Sequence, residues 1–342
     1  MSPEILSSDF PRILIVGPAW VGDMVIAQSL FKLLKARTPN AVIDVVAPAW
    51  TKPLLSRMPE VSQAISLSLG HGELSLSIRW RLGRSLRASA YNQVIVLPNS
   101  FKSAIAPFAA GIPRRTGFLG ECRFGLLNDI RQLNKSALPR TVDRFIALGL
   151  APAETLPAIP APALKTTKQD AYAALTRLHH PVPETPVLAL CPGASFGPAK
   201  RWPADYFAAV AKAKLAQGWQ VWLFGSDKDA PITARVQALT GGRCLDLGGR
   251  TSLGEVIDLM ALATAVVSND SGLMHVAAAL NRRVIALYGS SDPRHTPPLS
   301  DEARVLYLSL SCSPCFAREC PLGHLRCLKD LSPDQVLAAL EN

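Results

Sequence analysis

The chain has 342 residues, more than one ordinary domain holds, and 49% of them are hydrophobic, so we expect two domains with separate cores. Thirty-six Lys and Arg against 26 Asp and Glu give a net charge of +10, which favours anionic partners such as nucleotides or a membrane surface. Aromatic residues are 6% of the chain and no nucleic-acid-binding motif accompanies the basic residues, so nucleic acid is not an expected partner.

The first residues do not have the pattern of a secretory signal. Glu4 and Asp9 precede a short apolar run, where a signal peptide has a basic segment and a longer apolar one. The most apolar long window, residues 145–164, contains Glu154 and four prolines, which excludes a membrane helix. We therefore expect a soluble cytoplasmic protein whose seven cysteines are reduced thiols or metal ligands.

Short apolar runs alternate with helical segments in the first half. Three runs predict buried strands: residues 12–16, 41–47 and 93–97. A loop at 17–23 precedes an amphipathic helix predicted at 24–36, and this alternation is typical of a parallel sheet with crossover helices. Gly17 and Gly22 do not form G-x-G-x-x-G, and no Gly-Lys-Ser/Thr follows, which argues against a dinucleotide fingerprint and a P-loop.

Asp23 stands between the first predicted strand and the first predicted helix. Open α/β sheets bind their ligands at this edge. The ordinary role of an acid here is to cap the helix. The alternative role is that of a general base at the mouth of a cleft.

Basic residues are frequent between residues 79 and 131. A predicted helix and the loop-rich sequence after it contain Arg79, Arg81, Arg84, Arg87, Lys102, Arg114, Arg115, Arg123 and Arg131. The simpler interpretation is a solvated basic face. The alternative is a surface that receives an acidic acceptor or anionic lipid headgroups.

A proline-rich stretch at 152–162 predicts an extended linker between two domains. We place an N-terminal domain at 1–162 and a C-terminal domain at 163–332. The chain ends in a helix over 333–342 that we consider able to pack back on the first domain. Strands of the second domain are predicted at 187–190, 221–224 and 284–288, with another beginning at Ala265.

Three loops after strands of the second domain suit a sugar nucleotide. Residues 192–203 offer glycines, a hydroxyl and two adjacent cations, and Asp227 follows the next strand, where an acid can bind a ribose diol. The strand from Ala265 leads through Asn-Asp-Ser-Gly into an Ala-rich helix, whose N-terminus favours a phosphate, and Gly272 lets a ligand approach. This turn alone is more often an ordinary capped connection, whereas all three loops together indicate nucleotide binding.

The same motifs resemble a known family, the bacterial ADP-heptose:lipopolysaccharide heptosyltransferases of glycosyltransferase family 9, and within it the type II enzymes. The resemblance covers nearly the whole chain. It is carried by Gly17–Asp23, Pro192–Gly193, Lys200–Pro203, Gly225–Asp227 and Asp270–His275, and for type II by residues 114–118 and 125–129.

The resemblance implies an α/β fold of GT-B architecture, with two doubly wound, Rossmann-like parallel-sheet domains facing across a cleft. It implies an inverting transfer of L-glycero-D-manno-heptose from ADP-heptose to the first heptose of the lipopolysaccharide inner core, with no catalytic metal and no cofactor besides the donor substrate. The acceptor is then a lipid-linked heptosyl-Kdo-lipid A. We expect a monomer bound peripherally to the cytoplasmic face of the inner membrane. A type I or other heptosyltransferase is the alternative within the family.

The resemblance also assigns roles to individual residues. Asp23 matches the catalytic base, and Lys200 matches the cation beside the pyrophosphate. The donor-binding residues are then Ser195, Lys200, Asp227, Thr251, Asp270, Ser271, Gly272, Leu273 and His275, although His275 is equally expected as a packed helix residue. For the acceptor we predict Lys102 and Arg123.

Two questions stay open at this level. Cys312, Cys315, Cys320 and Cys327, with His324 among them, allow a structural zinc site, but the spacing is not that of a standard finger and reduced thiols are preferred. Other classes of function are a non-catalytic nucleotide-binding module, which has no need of an acid at position 23, and a nicotinamide oxidoreductase, which the missing glycine fingerprint disfavours.

Overall fold

The computed structural model describes residues 10–67 and 73–341. It divides into two compact units, residues 1–160 and 161–342, at the proline-rich linker, where the sequence places a boundary at residue 162. In the described ranges, no helix is both long and apolar enough to cross a membrane.

The first unit is built on a six-stranded sheet in which every pairing is parallel. Its strands are β1 (Arg12–Val16), β2 (Val42–Pro48), β3 (Gln63–Leu67), β4 (Gln93–Val96), β5 (Arg114–Phe118) and β6 (Asp129–Arg131). Its helices are α1 (Val21–Arg37), α2 (Lys52–Leu55), α3 (Leu76–Ser85), α4 (Ile105–Ala109) and α5 (Thr141–Leu148). The spatial order β3-β2-β1-β4-β5-β6 is doubly wound, so the chain reverses direction across the sheet between β1 and β4.

Helix α1 differs from the expected amphipathic helix. It begins at Val21, three residues before the prediction, and almost all residues from Met24 to Leu34 are buried. Even Gln28 lies inside, where its Nε2 donates to Glu60 Oε2 at 2.9 Å. A helix that is buried on most sides has little difference in hydrophobicity between its faces, so the prediction of an amphipathic helix is wrong.

The second unit repeats the same plan. Its parallel strands are β7 (Val187–Cys191), β8 (Gln220–Leu223), β9 (Leu245–Asp246), β10 (Ala265–Asn269), β11 (Arg283–Tyr288) and β12 (Ala303–Tyr307). Its helices are α6 (Lys168–Arg177), α7 (Ala204–Ala216), α8 (Ala230–Leu239), α9 (Leu253–Met260), α10 (Gly272–Ala279), α11 (Arg326–Lys329) and α12 (Pro333–Glu341). The order β12-β11-β10-β7-β8-β9 puts β10 beside β7, so the loops that follow these two strands are neighbours.

The last helix packs into the core of the second unit, and the expectation that it packs back on the first unit stays a prediction. Helix α12 contacts α7 and β11, and Val336, Ala339 and Leu340 lie in the core of the second unit. At its end, Glu341 Oε1 lies 4.0 Å from Lys214 Nζ of α7. This packing is favourable because the apolar face of α12 lies against α7, where Val336, Ala339 and Leu340 are removed from water.

Candidate active site

The turn from β10 into α10 forms the centre of the candidate site. All five residues of β10 are buried, and Ser271 has the extended backbone of a helix N-cap, with Gly272 as the first helical residue. The first turn of a helix has amide N–H groups without intrahelical partners, and the helix dipole adds positive charge there. The hydroxyls of Ser268 and Ser271 are 3.3 Å apart beside it. This turn has the geometry that holds a phosphate.

A buried ion pair stands next to this turn. Lys200 Nζ donates to Asp270 Oδ2 at 2.5 Å, and Ser291 Oγ donates to the same oxygen at 2.5 Å. The Asp270 side chain is 5% exposed and that of Lys200 is 18% exposed. Lys200 Nζ also lies 5.1 Å from the centre of the Phe196 ring. The lysine is therefore held in one place with its charge at the strand ends, while part of it stays open to solvent.

Asn269 fixes the loop that carries Lys200. Its Nδ2 donates to Pro192 O at 2.8 Å, and its Oδ1 accepts from Trp202 N at 3.0 Å. Trp202 is fully buried, and its Nε1 donates to Leu331 O at 2.9 Å. One side chain of β10 thus anchors both ends of the 192–203 loop. We did not predict this role, although a polar residue at the end of an apolar strand run was its signal.

The C-terminal cysteine-rich segment supports the same loop. Arg318 O accepts from Ala199 N at 3.0 Å, and its guanidinium carbon lies 5.5 Å from the centre of the Phe196 ring. A Cβ on Gly197 would stand 2.4 Å from Arg318 O, so only glycine allows this approach. The segment therefore helps to set the position of Lys200.

Two acids follow β8: Asp229, which is buried, and Asp227, the residue predicted to bind the ribose, which is exposed. Asp229 Oδ2 accepts from Ser226 N at 3.1 Å and from Ser226 Oγ at 2.7 Å, and its Oδ1 lies 3.8 Å from Arg201 Nη2. A Cβ on Gly193 would stand 2.3 Å from Asp229 Cγ, which explains the glycine after β7. Asp227 is exposed and packs against Gly249, so its carboxylate is accessible to a ligand.

The other predicted donor residues lie on separate loops of the second unit. Ser195 is exposed in the loop after β7, and Leu273 is half-buried in the first turn of α10. Thr251 is half-buried, and its Oγ1 donates to Leu247 O at 3.3 Å. Ser195 and Leu273 follow the adjacent strands β7 and β10, whereas Thr251 follows β9 at the sheet edge.

His275 is buried in α10. Burial lowers its pKa from 6.5 to about 4, an effect that Asp270 opposes and Lys200 reinforces. The imidazole is therefore neutral at physiological pH, and it is a packed residue that borders the ion pair.

The depressed pKa of His275 gives a testable pH dependence of stability. As pH falls through 6.5 the unfolded chain takes up a proton on this histidine, whereas the folded protein does so only near pH 4. The stability that its neutral form contributes is complete above pH 6.5 and is lost toward pH 4, by about 3 kcal/mol.

We expect the free energy of unfolding of the His275→Asn variant to change less with pH between 6.5 and 4 than that of the wild type. The matched control, His179→Asn, changes an exposed histidine with φ 55°, a conformation that asparagine tolerates. Identical slopes in wild type and His275→Asn contradict the prediction.

In the first unit, Asp23 lies in the first turn of α1 and is half-buried. It follows β1, one of the two strands at which the sheet order reverses. The loop before it has Trp20, which is 44% exposed, and the carbonyl of Ala19, which accepts from Trp50 Nε1 at 3.3 Å. Asp23 thus occupies the edge of the sheet where this fold binds ligands.

Arg123 contradicts its predicted role in direct acceptor binding. Its side chain is fully buried and donates to Pro98 O at 2.7 Å, to Ser103 Oγ at 3.2 Å and to Phe118 O. Burial lowers its pKa. A guanidinium enclosed by backbone carbonyls holds loops together and is not presented to a ligand. Lys102, by contrast, is half-buried in the 3₁₀ turn after β4 and has an accessible side chain.

Three more of the basic residues form ion pairs or hydrogen bonds within the first unit. Arg114 Nη2 and Arg131 Nη2 each lie 3.1 Å from Asp129 Oδ2. Arg115 donates to Leu126 O at 2.7 Å and to Ile112 O at 2.6 Å. Part of the basic stretch therefore serves the fold, and sequence alone did not separate these arginines from the exposed ones.

The C-terminal cysteines are free thiols. Burial raises the pKa of the Cys327 thiol, and the charges of the nearby Cys312, Cys315 and Cys320 raise it further. The pKa of Cys320 is lowered, mainly by a hydrogen bond from the backbone of Leu325. Within residues 10–67 and 73–341, no three His, Cys, Asp or Glu side chains are grouped so that they could hold a metal ion.

Comparison with known proteins gives a consistent result. Residues 79–326 match the profile of glycosyltransferase family 9 (heptosyltransferase). Lipopolysaccharide heptosyltransferase 2 of Escherichia coli K12 is 48% identical over 339 residues, covering 96% of this chain and 97% of the relative. Lipooligosaccharide heptosyltransferase 2 of Haemophilus influenzae is 49% identical over 313 residues, covering 87% and 88%. The solved structure of E. coli ADP-heptose LPS heptosyltransferase II matches with a TM-score of 0.85 at 45% identity, covering 96% of this chain and 97% of that one.

The two parallel six-stranded sheets and the match to a solved heptosyltransferase II show a glycosyltransferase of the GT-B type. The chain belongs to glycosyltransferase family 9, the heptosyltransferases. The predicted α/β fold class and the predicted enzyme class are confirmed. The nicotinamide oxidoreductase and the non-catalytic binding module are wrong.

Proposed function

We propose that this enzyme transfers L-glycero-D-manno-heptose from ADP-heptose to the first heptose of the lipopolysaccharide inner core, with inversion at the anomeric carbon. The similarity to type 2 enzymes over nearly the whole chain supports this acceptor. The observation that carries the donor assignment is the Lys200–Asp270 pair beside the N-terminus of α10. A fixed cation and a set of amide donors at one point match a diphosphate.

The donor end of the reaction follows from charge. When the bond between the heptose and ADP breaks, negative charge grows on the leaving diphosphate. Lys200 and the amides of Ser271 and Gly272 are already oriented, so they stabilise this charge without reorganisation. Asp270 holds the lysine through a 2.5 Å hydrogen bond, and Ser291 offsets part of the carboxylate charge. Asp227 binds the ribose diol from its exposed position, with Ser195, Thr251 and Leu273 completing the nucleotide contacts.

The acceptor end requires one base. The attacking hydroxyl loses its proton as its oxygen bonds to the anomeric carbon, whose transition state resembles an oxocarbenium ion. Asp23 is our candidate because it is a half-buried acid in the first turn of α1, at the ligand-binding edge of the first sheet. Lys102, in the 3₁₀ turn after the neighbouring strand β4, contacts anionic groups of the acceptor. Lys200 supplies the charge that a metal would otherwise supply, so we infer a metal-independent reaction.

The acceptor chemistry also sets the surroundings. A lipid-linked heptosyl-Kdo-lipid A acceptor stays in the inner membrane, so we infer that the enzyme binds peripherally to the cytoplasmic face. That it works there as a monomer is a separate proposal. The net charge of +10 favours association with anionic lipid.

The decisive experiment measures ADP release from ADP-heptose with purified Kdo-lipid A cores that carry no, one or two heptoses. We expect turnover with the one-heptose core only, unchanged by EDTA. Turnover with the heptose-free core alone assigns the type I reaction instead. ADP release that needs no acceptor, or none with any core, overturns the proposal.

A further inference from the structure

Helix α3 and the neighbouring turn and helix expose large apolar side chains. Six of them are between 38% and 52% exposed: Leu74, Leu76, Ile78, Trp80, Phe101 and Phe108. Isolated exposed apolar residues are normal, but a contiguous group marks a surface that contacts another apolar phase.

Close packing of α3 on α4 brings four of these side chains, Leu76, Trp80, Phe101 and Phe108, to one groove. A Cβ on Gly83 would stand 2.3 Å from Ala106 O and 2.6 Å from Ala109 Cβ, so the glycine lets the helices approach. The Trp80 and Phe108 rings are then 6.2 Å apart. Beside these rings lies a groove of about 670 Å³. It is lined by Leu76, Ser77, Trp80, Arg81, Arg84, Phe101, Ile105, Phe108 and Leu126. We call it the α3–α4 groove.

The exposed charged side chains of α3 are basic, and one acid, Glu121, lies at the α3–α4 groove, where its Oε2 accepts from Phe101 N at 2.7 Å. Residues 74–120 include seven basic residues: Arg79, Arg81, Arg84, Arg87, Lys102, Arg114 and Arg115. Of these, Arg114 is paired with Asp129, and Arg115 donates to two backbone carbonyls. Arg81, Arg84 and Arg87 are exposed. Arg79 does not belong to this surface, because it is buried and donates to Leu74 O at 2.7 Å and to Glu73 O at 3.0 Å.

We propose that the α3–α4 groove docks the enzyme on an anionic lipid bilayer. Leu76 and Trp80, one helical turn apart, enter the interfacial region, while Arg81 and Arg84 contact headgroup phosphates. An apolar face with Trp and Leu bordered by arginines is the pattern of a helix that lies in the membrane interface. A second copy is a poorer occupant, because a symmetric pairing places the same unbalanced arginines against each other.

Co-sedimentation with vesicles tests this docking without any assumption about catalysis. The probes are phosphatidylcholine vesicles with and without phosphatidylglycerol. We expect the wild type to bind the anionic vesicles. The Arg81→Glu/Arg84→Glu variant is expected to bind them at least roughly 30-fold more weakly, since each basic residue near the surface contributes about a fivefold factor. Leu76→Ser/Trp80→Ser removes binding that remains at high salt.

The matched control is Lys212→Glu/Lys329→Glu, which makes the same change in net charge at exposed positions of the second unit. It is expected to retain most vesicle binding. Equal losses in both charge variants, or wild-type binding in the Leu76/Trp80 variant, overturn the proposal. Thermal melting checks that each variant is folded, and all four positions changed in the first unit are outside its core.

A turnover assay distinguishes binding of lipid in the α3–α4 groove from binding of the acceptor sugar. This assay, unlike co-sedimentation, rests on the proposed function. With a delipidated, water-soluble one-heptose core, the α3 variants should keep wild-type turnover; with the same core embedded in anionic vesicles, they should lose it. Loss on the soluble core means that the groove binds the acceptor sugar, and it overturns docking. A dimer in sedimentation velocity that Leu76→Ser/Trp80→Ser dissociates identifies a second copy and also overturns it. If no variant, nor the wild type, turns over the soluble core, the proposed function fails while the vesicle result stands.

Discussion

Replacing Asp23 by asparagine is expected to lower kcat by about 10²- to 10⁴-fold, the range that a general base contributes. The amide has the same shape as the carboxylate but cannot accept the proton of the attacking hydroxyl. Because Asp23 also lies in the first turn of α1, the variant loses a favourable interaction with the helix dipole of about 0.3–1 kcal/mol. The measurement is steady-state ADP release at saturating donor and acceptor, with thermal melting on the same preparation.

The two roles of Asp23 predict different results. If it only caps α1, melting shifts slightly and kcat is unchanged, which contradicts the proposed base. The control is Glu154→Gln, which removes an exposed carboxylate of the first unit that pairs with Arg37. An exposed pair contributes little to stability, so this variant should behave like the wild type in both measurements.

Replacing Lys200 by methionine is expected to lower kcat by about 10²- to 10³-fold, because one preorganised group no longer meets the charge that develops on the leaving diphosphate. The same change leaves Asp270 buried without its cation. A buried carboxylate that loses its partner costs on the order of 3 kcal/mol of unfolding free energy. Both kcat and stability should therefore fall, measured by ADP release and by denaturant unfolding.

A double variant separates these two effects. Lys200→Met/Asp270→Asn leaves neither charge in the site, and Ser291 still has an oxygen to donate to. We expect most of the stability to return while turnover stays low. Recovery of turnover together with stability contradicts the proposed contact with the diphosphate, because it means that Lys200 serves only to neutralise Asp270.

Several features of the fold were predictable from local pattern. Strands β1, β7, β8, β10 and β11 are short apolar runs bounded by turn residues, and each begins or ends within two residues of its predicted position. Strand β9 has two half-buried residues, and β12 has three half-buried and two exposed residues, so neither has the apolar signal that identifies a buried strand. Their places at the sheet edges explain this weak signal.

The site shows the same limit. Lys200 and the turn at Ser271 were predictable because a cation and a helix start have local sequence signals. Asn269 and Ser291 were missed, because their importance lies in hydrogen bonds to residues distant in the chain, Pro192 and Asp270. Such pairings depend on which strands become neighbours, and no local pattern encodes them.

By itself the sequence determined two α/β units, a family, and a turn from strand to helix after β10, because hydrophobic period, glycine and capping residues act over a few neighbouring positions. Only the tertiary structure decided which polar residues are accessible. It enclosed Arg123 in backbone carbonyls, buried Asp229 while leaving Asp227 exposed, and packed α12 into the second core. The reason is that burial and hydrogen-bond partners depend on packing between segments distant in the chain. The local sequence of two arginines in the same basic stretch therefore does not show which of them is buried.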